Sequence, residues 1–387
     1  MEQYKTPYYI VYEEKLRRNI ELITGVAQRT GVDIIMAFKA NALWRTFDVF
    51  REYGIESTAS SINEMLLAID ELKCRTHTYC PAYTDDTIDA YIAGSSHITF
   101  NSIEQYLRFA DKINQHNADW PGEQVSCGLR VNPMCSVIET DIYNPCCPGS
   151  RFGVLASDLK ELPKGIEGFH FHALCESTSF DLEKVLLALK QQFGEYLPRL
   201  KWLNMGGGHL MTRKGYNIGH LEQVLGAFQG AYPNLKLILE PGSAWCWQTG
   251  DLEASVVDVV TNSGITTAIV DVSFACHMPD CLEMPYYPDV RGAVCVEDTP
   301  DLNTQVSCLY RLGGNSCLSG DFMGYWQFNH ELQVGEQIVF EDMIHYTTVK
   351  TNTFNGITHP SIGMLHTDGT LEILRRFTYE DYRSRMD

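Results

Sequence analysis

The sequence predicts an α/β fold in which a (β/α)8 barrel is followed by a C-terminal β-rich domain. Between about residues 33 and 240, short apolar runs alternate with helix-like segments of mixed polarity. After about residue 250 the apolar runs continue with little helix between them. The chain has 387 residues, 44% of them hydrophobic, so it can bury a large core and a smaller second one.

The strands of the barrel are expected at eight apolar or β-branched runs. They are 33–38, 55–59, 76–80, 97–100, 125–131, 167–172, 201–205 and 235–240. Helices are expected between them, for example over 62–73, 103–116, 181–193 and 219–230. Alternating strand and helix indicates parallel strands joined by crossovers, and eight such units fit a barrel. A doubly wound open sheet is the alternative.

The second domain is expected to be discontinuous. Its strands are predicted at 253–260, 265–272, 306–312, 336–341 and 344–349. The N-terminal run YYIVY at 8–12 is expected to join them as a further strand. We therefore expect a barrel domain over 14–250 and a β-rich domain formed by 1–13 and 251–387.

Charge and cysteine usage restrict the possible partners. The formal net charge of -19 argues against nucleic acid and anionic membrane, and is compatible with a small cationic substrate. No apolar run reaches the roughly 18 residues of a membrane helix, and the N-terminus lacks a signal-peptide layout. Thirteen scattered cysteines without a paired CxxC framework predict no metal site and fit a reducing compartment. We expect a cytoplasmic protein.

Four kinds of side chain follow the predicted barrel strands, where functional residues of barrels collect. Lys39 follows the first strand, and His172 ends the sixth. Gly206, Gly207 and Gly208 follow the seventh strand, and Glu240 ends the eighth. Each alone has a structural explanation: a solvated strand end, a core histidine, a turn and a strand stop. Together they offer an amine, a flat imidazole, backbone amides and a carboxylate, which are the groups that pyridoxal phosphate needs.

These segments resemble the fold-type III pyridoxal-phosphate decarboxylases, the alanine-racemase-like group, over nearly the whole chain. FKAN resembles the family's lysine signature, so Lys39 would hold the cofactor through an imine. FHFHALCES resembles the segment whose histidine stacks on the ring, here His172. NMGGGH resembles the phosphate loop, and EPG carries Glu240, which would pair with the pyridine nitrogen.

Two C-terminal segments extend the resemblance. GGNSCLSGD resembles the cysteine motif that the neighbouring subunit contributes, which gives Cys317 and Asp321. HYTTVKTNTFNG resembles the tyrosine segment near the phosphate, which gives Tyr346. The resemblance therefore implies a homodimer with shared active sites, in which Cys317 returns a proton to the α-carbon.

Departures from the family pattern reduce the number of candidate substrates. Many relatives have arginine after Glu-Pro-Gly, whereas this chain has Ser243, so Cys175, Ser177 and backbone groups are candidates to replace it at the phosphate. The departures are most similar to the members that decarboxylate carboxylated triamines, namely carboxynorspermidine and carboxyspermidine. The two substrates differ by one methylene, and the sequence does not separate them.

The segment HMPDCLEMPY at 277–286 is expected to form an acidic loop over the barrel mouth. Its carboxylates would hold the ammonium groups of a polyamine, although an acidic surface turn is the plain alternative. Asp271, at a strand end, is a weaker candidate. The residues expected to contact substrate are Glu240, His277, Asp280, Glu283 and Asp321.

Other functions remain open from the sequence. A decarboxylase of meso-diaminopimelate or of a basic amino acid would share the fold and cofactor. A racemase is disfavoured by the thiol loop at Cys317. A non-catalytic regulatory paralogue would be expected to lose the lysine or the thiol, and this chain has both.

Overall fold

A computed structural model describes residues 5–138, 143–283, 286–296 and 306–387. The chain divides into two compact units, one formed by residues 19–245 and the other by 1–18 with 246–387. The expected division lay at 13/14 and 250/251, so each observed boundary lies five residues away from it. Strand β1 (Tyr8–Tyr12) and helix α1 (Glu13–Thr30) open the chain.

The unit of residues 19–245 is built around a parallel sheet. Its strands are β2 (Asp33–Ile34), β3 (Met36–Ala37), β4 (Ser57–Ala59), β5 (Thr76–Tyr79), β6 (Ser95–Phe100), β7 (Ser126–Arg130), β8 (Ile166–His170), β9 (Trp202–Asn204) and β10 (Lys236–Leu239). The helices between them are α2 (Phe47–Glu52), α3 (Ile62–Leu67), α4 (Ile88–Gly94), α5 (Ile103–Asp119), α6 (Ser179–Phe193) and α7 (Ile218–Ala231), and α8 (Ser243–Cys246) follows the last strand. All eight predicted strand runs contain strand, which confirms the alternating pattern.

The first strand closes the sheet into a barrel because it is split into two halves. β2 pairs with β10, and β3 pairs with β4, so the strand order runs from β2 round to β3. At the junction, Ile35 N–H donates to Leu239 O at 2.9 Å and Met36 N–H donates to Glu56 O at 2.8 Å. The ring of eight parallel strands confirms the barrel, and the open doubly wound sheet is wrong.

Helix starts in the barrel follow from local side-chain chemistry. Ser61, Ser102 and Asn217 each accept a hydrogen bond from an amide in the first turn of α3, α5 and α7. Thr178 and Asp181 form a capping box that begins α6. α3 ends early and continues as a π-helix over Ala68–Leu72, so the predicted helix at 62–73 changes type halfway.

The second unit is a nine-stranded mixed sheet. Beside β1 it contains β11 (Gly250–Asn262), β12 (Ile265–Val270), β13 (Ala293–Val296), β14 (Leu309–Gly313), β15 (Phe322–Phe328), β16 (Gln337–Phe340), β17 (Ser361–Leu365) and β18 (Leu371–Arg375). Four short helices accompany them: α9 (Phe274–His277), α10 (Asp280–Glu283), α11 (Thr347–Lys350) and α12 (Tyr379–Arg383). β1 lies between β11 and β17, which confirms that the N-terminal run joins this sheet.

Two predicted segments of this unit are wrong in type. Residues 344–349 were expected to be a strand, but the chain turns there and forms α11. The expected loop at 277–286 is largely helical where it is described: Ser273 caps α9, which ends at His277, and α10 begins at Asp280. Residues 284 and 285 lie outside the described residues. Within the described chain, no helix combines the length and apolar character needed to cross a membrane.

Candidate active site

One cavity of about 740 Å³ opens at the carboxyl ends of the barrel strands. Lys39 enters it just after β3, and Glu240 enters it directly after β10. His170 and His172 come from the end of β8 and the residues beyond it. The barrel therefore brings the predicted lysine, histidine and carboxylate together in one space.

Lys39 and His172 are direct neighbours in the cavity. Lys39 Nζ lies 3.3 Å from His172 Nε2. His172 Nδ1 accepts the Gly207 N–H at 3.1 Å, so a neutral ring carries its proton on Nε2 and donates toward the lysine. Burial lowers the pKa of Lys39, and burial followed by the charge of Lys39 lowers the pKa of His172 well below its usual value. Burial thus shifts both groups toward their neutral forms, and the neutral amine is the nucleophilic form of lysine.

The glycine loop after β9 is fixed by close packing. A Cβ at Gly206, whose φ is +68°, would lie 2.5 Å from Phe171 O, and a Cβ at Gly207 would lie 2.6 Å from Glu240 O. The Gly206 N–H donates to Asn204 Oδ1 at 2.9 Å. The first two amides of the loop thus hold other groups of the site. The phosphate-binding role of Gly206, Gly207 and Gly208 stays a prediction.

Glu240 is a buried carboxylate, 8% exposed. Its Oε1 accepts from Asn204 Nδ2 at 2.5 Å, and its backbone N–H donates to Gly206 O at 2.8 Å. Burial raises the pKa of Glu240, and hydrogen bonding from Asn204 with the charge of Lys39 opposes that rise. The carboxylate is thereby held in a place where it can stabilise a cationic ring nitrogen.

The sequence analysis missed Arg130, a buried cation of the same cavity. It ends β7 and its guanidinium stacks on the rings of Tyr79, at 4.7 Å, and Phe152, at 4.3 Å. Asn204, which orients Glu240, was also missed. A charged residue inside the apolar run VSCGLRV was the available signal for Arg130. Asn204 had no comparable signal, because its role depends on β9 and β10 being neighbours.

Cys175 and Ser177 close a short turn beyond His172. Ser177 Oγ donates to Cys175 O at 2.9 Å and accepts the Cys175 N–H at 3.2 Å. Burial raises the pKa of the Cys175 thiol. The hydroxyl that was a candidate phosphate ligand therefore already serves this turn, and the phosphate role of both residues stays a prediction.

The thiol loop lies in the β-rich unit. The Cys317 side chain is exposed, and its backbone N–H donates to Asn355 Oδ1 at 2.9 Å. Asp321 is buried and holds the loop: its carboxylate accepts from Ala275 N–H at 3.0 Å, and from the N–H and hydroxyl of Ser316 at 3.2 and 2.5 Å. The structure thus places Asp321 as a support of the loop that displays Cys317.

The candidate residues of the 277–286 segment differ in their surroundings. His277 is fully buried, its Nδ1 accepts the Ser273 N–H at 3.1 Å, and burial lowers its pKa to about 3. A histidine so enclosed packs the β-rich unit and does not reach solvent. Asp280 forms an ion pair with Lys350, and a Glu283 oxygen lies 3.7 Å from the same ammonium. The two carboxylates therefore converge on one cation.

Two further candidates have structural surroundings. Asp271 accepts from the Ser255 N–H at 2.8 Å and from the Thr6 hydroxyl at 2.6 Å, so its carboxylate ties strands together. Tyr346 precedes α11 with a φ of +52°, a left-handed conformation that is uncommon for a bulky residue. Such conformations concentrate at functional sites, and the cofactor contact of Tyr346 stays a prediction.

The residues of the barrel cavity fit pyridoxal phosphate. Lys39 supplies a desolvated amine, and Glu240 supplies a buried carboxylate of the kind that pairs with a cationic ring nitrogen. Buried ring nitrogens of His170 have no hydrogen-bond partner among the described residues, as is expected where a bound group completes a site. The donor set therefore matches an aldehyde cofactor with a basic ring nitrogen.

Comparison with known proteins agrees with this fit. Residues 11–344 match the model of the pyridoxal-dependent decarboxylase, C-terminal sheet domain, family. The chain belongs to the pyridoxal-dependent decarboxylases. It is an enzyme with pyridoxal phosphate as cofactor, and its barrel and sheet confirm the predicted alanine-racemase-like fold.

Relatives named as decarboxylases match nearly the whole chain. A Synechocystis protein named carboxyaminopropylagmatine decarboxylase is 46% identical over 98% of this chain and 95% of its own. A Campylobacter jejuni carboxynorspermidine/carboxyspermidine decarboxylase is 39% identical over 99% of each chain. The crystal structure of a Campylobacter jejuni carboxynorspermidine decarboxylase with norspermidine superposes with a TM-score of 0.88 at 38% identity, covering 99% and 100% of the two chains.

A more distant likeness shows the fold alone. Diaminopimelate decarboxylase from Helicobacter pylori superposes with a TM-score of 0.83, but only 17% of its residues are identical. Named diaminopimelate decarboxylases are likewise only 22–26% identical in sequence. Diaminopimelate as substrate therefore has weaker support than a carboxylated polyamine.

Proposed function

We propose that the chain decarboxylates carboxynorspermidine or carboxyspermidine to norspermidine or spermidine, a step of polyamine biosynthesis. The observation that carries the proposal is the structural match, at a TM-score of 0.88 over 99% of the chain, to a carboxynorspermidine decarboxylase holding norspermidine. The convergence of Lys39, His172 and Glu240 in one barrel cavity supplies the chemistry.

A second candidate substrate is carboxyaminopropylagmatine. It is favoured by the 46% identity to the Synechocystis protein of that activity, which exceeds the 39% identity to the carboxynorspermidine/carboxyspermidine enzyme. The two candidates differ at the far end of the substrate, because an agmatine unit ends in a guanidinium group and a triamine ends in an ammonium group. Both remain polycationic carboxylates.

Each residue of the site has a proposed role. Pyridoxal phosphate, when bound, supplies an aldehyde and an electron-accepting ring. Lys39 would hold it through an amine whose pKa burial lowers, and His172 would present its flat ring. Glu240 would hold the ring nitrogen, and Cys317 would donate from Sγ the proton that replaces the lost carboxyl group at the α-carbon.

We also propose a cytoplasmic homodimer in which Cys317, Asp321 and Tyr346 complete the active site of the partner subunit. The exposed thiol on a loop braced by a buried carboxylate supports this arrangement. Asp280 and Glu283, which converge on one ammonium, are proposed contacts for a cationic substrate. The enclosed His277 would act only through its neighbours.

The proposal is tested by carbon dioxide release. Purified protein with added pyridoxal phosphate is supplied with carboxynorspermidine, carboxyspermidine, carboxyaminopropylagmatine or meso-diaminopimelate. Preference for a carboxylated triamine is the expected result. Preference for the agmatine derivative selects the second candidate, and preference for diaminopimelate refutes both polyamine substrates.

Shared active sites are tested by mixing two inactive variants. Lys39→Ala and Cys317→Ala are each expected to lose nearly all turnover. Random mixing of their subunits should restore about one quarter of the parental activity, because each heterodimer regains one intact site. Mixtures that stay inactive, although mass spectrometry shows exchanged subunits, would mean that Lys39 and Cys317 act from the same chain. Parental turnover in Cys317→Ala alone would show that Cys317 is not essential.

A further inference from the structure

His170 is a buried side chain whose ring nitrogens have no hydrogen-bond partner among the described residues. It ends β8, is 3% exposed and lines the barrel cavity. Among the residues that the structure describes, neither Nδ1 nor Nε2 has a hydrogen-bond partner. Buried polar atoms are nearly always paired, so the two unpaired nitrogens of a ring that lines the cavity require an explanation.

The ring faces the free side of Glu240. His170 Nε2 lies 3.7 Å from Glu240 Oε2, whereas the other carboxylate oxygen, Oε1, accepts from Asn204 Nδ2 at 2.5 Å. A separation of 3.7 Å is too long for a hydrogen bond, and a movement of about 0.5–1 Å would close it. The ring of Tyr79 packs edge-on against His170 at 5.4 Å and limits its other movements.

The charge state of His170 decides what it can donate. Burial, and then the charges of Arg130 and Lys39, lower the pKa of His170 well below its usual value. The ring is therefore neutral at physiological pH and carries one proton. With that proton on Nε2, the group that faces Glu240 is a neutral N–H donor and not a cation.

We propose that His170 is a positioning residue for Glu240: its Nε2–H donates to Oε2, fixes the carboxylate and keeps it ionised. The other groups that face Glu240 are Lys39, Arg130, Asn204 and the hydroxyl of Thr58. Burial raises the pKa of Glu240, and each of these opposes the rise. Only the assignment of Glu240 to the ring nitrogen rests on the proposed function.

The experiment follows the ionisation of Glu240 in the cofactor-free protein. The carboxyl group is titrated by NMR with labelled glutamate, assigned by comparison with Glu240→Gln. In His170→Leu the midpoint is expected to rise by about one pH unit, because a hydrogen bond to the charged form is lost. His170→Gln places an amide donor near the same point and should restore most of the difference. Affinity for pyridoxal phosphate, followed by fluorescence, should weaken in the leucine variant alone.

A matched control separates this role from a packing effect. His77 on β5 is also buried, at 5% exposure, and its Nδ1 has no partner among the described residues. His77→Leu is expected to leave the Glu240 midpoint unchanged. Equal midpoints in His170→Leu and the parent protein would overturn the proposal. No substrate is used, so a failure to decarboxylate polyamines leaves this outcome readable.

Turnover gives a second readout in the holoenzyme. Loss of ionised Glu240 on acidification should lower kcat, and this acid limb should move to higher pH in His170→Leu with little change in KM. If the leucine variant does not fold, the Glu240 midpoints of His170→Gln and His170→Asn are compared instead. The asparagine side chain is one methylene shorter, so its amide does not reach the position of Nε2. Identical Glu240 midpoints in these two variants would contradict a donor at the Nε2 position.

Discussion

The barrel unit and the β-rich unit treat their charged groups in different ways. In the barrel, Lys39, Arg130 and Glu240 line one cavity, where burial opposes the charged forms of Lys39 and Glu240. In the β-rich unit, Arg291 binds Asp251 at 2.6 Å and Glu341 at 3.0 Å, and this pairing raises the pKa of the guanidinium. The barrel cavity keeps its charges available for a ligand, while Arg291 and its two partners hold segments of the β-rich unit together.

The difference shows that the reactive groups lie in the barrel cavity, whereas the β-rich unit mainly positions a loop. Removing an amine and a carboxylate from water costs folding free energy. Such groups are typical of functional sites, where a bound group interacts with them. The β-rich unit instead displays Cys317 on a loop whose conformation Asp321 fixes by accepting three hydrogen bonds. Substitutions in the barrel cavity should therefore change turnover, and those in the loop support should change local stability first.

The largest effect is expected from Lys39→Ala. Removal of the amine should reduce carbon dioxide release at least about a thousandfold, as for other groups that attack covalently. The absorption band of the bound cofactor should disappear as well. Lys214→Ala, which removes an exposed lysine of the same unit, should change neither property. Survival of both band and turnover in Lys39→Ala would show that the cavity amine is not the cofactor anchor.

Glu240→Gln should have the next largest effect. It keeps the shape of the side chain and removes the charge, so kcat is expected to fall by about a hundredfold while the cofactor still binds. Steady-state kinetics and cofactor titration measure the two parts separately. Glu195→Gln, at an exposed position, is the control. A parental kcat in Glu240→Gln would mean that the buried carboxylate serves folding only.

Gly168→Ala tests the packing of β8 against Trp202 inside the barrel. A Cβ at Gly168 would lie 2.0 Å from Cδ2 of the buried Trp202, so overpacking should destabilise the protein by about 1–3 kcal/mol. Denaturant unfolding measures the loss. Gly226→Ala in α7 meets no atom within 4 Å and should stabilise by about 0.5–1 kcal/mol. Equal stability of the two variants would contradict the tight contact with Trp202.

The most local effect is expected from Asp321→Ala in the β-rich unit. Its three acceptor contacts are lost, which should cost about 1–3 kcal/mol of local stability. Hydrogen exchange should accelerate at the amides of Ala275 and Ser316, with the barrel unaffected. Glu331→Ala removes an exposed carboxylate of the same unit and should leave exchange there unchanged. Unaltered exchange in Asp321→Ala would show that the loop is held by other groups.

The barrel could be predicted strand by strand, whereas the β-rich sheet could be predicted only for β1, β11, β12, β14 and β16. Each barrel strand pairs with a strand close in the chain or with the one that closes the ring, and its apolar run is a local signal. In the β-rich unit, β1 pairs with β17 across some 350 residues, and the pairing leaves no mark near either strand. β13, β15, β17 and β18 were not foreseen, and residues 344–349 were mistaken for a strand because IHYTTV is rich in β-branched residues.

The sequence by itself determined the alternation of strands and helices and the types of residue at the strand ends. It therefore pointed to Lys39, His172 and Glu240, which the barrel brings into one cavity. Only the tertiary structure decided that Asn204 orients Glu240, that Gly207 sets the tautomer of His172 and that Arg130 enters the cavity. The reason is physical. The type of side chain at each position follows from the sequence alone, but its burial and its hydrogen-bond partners depend on which strands become neighbours.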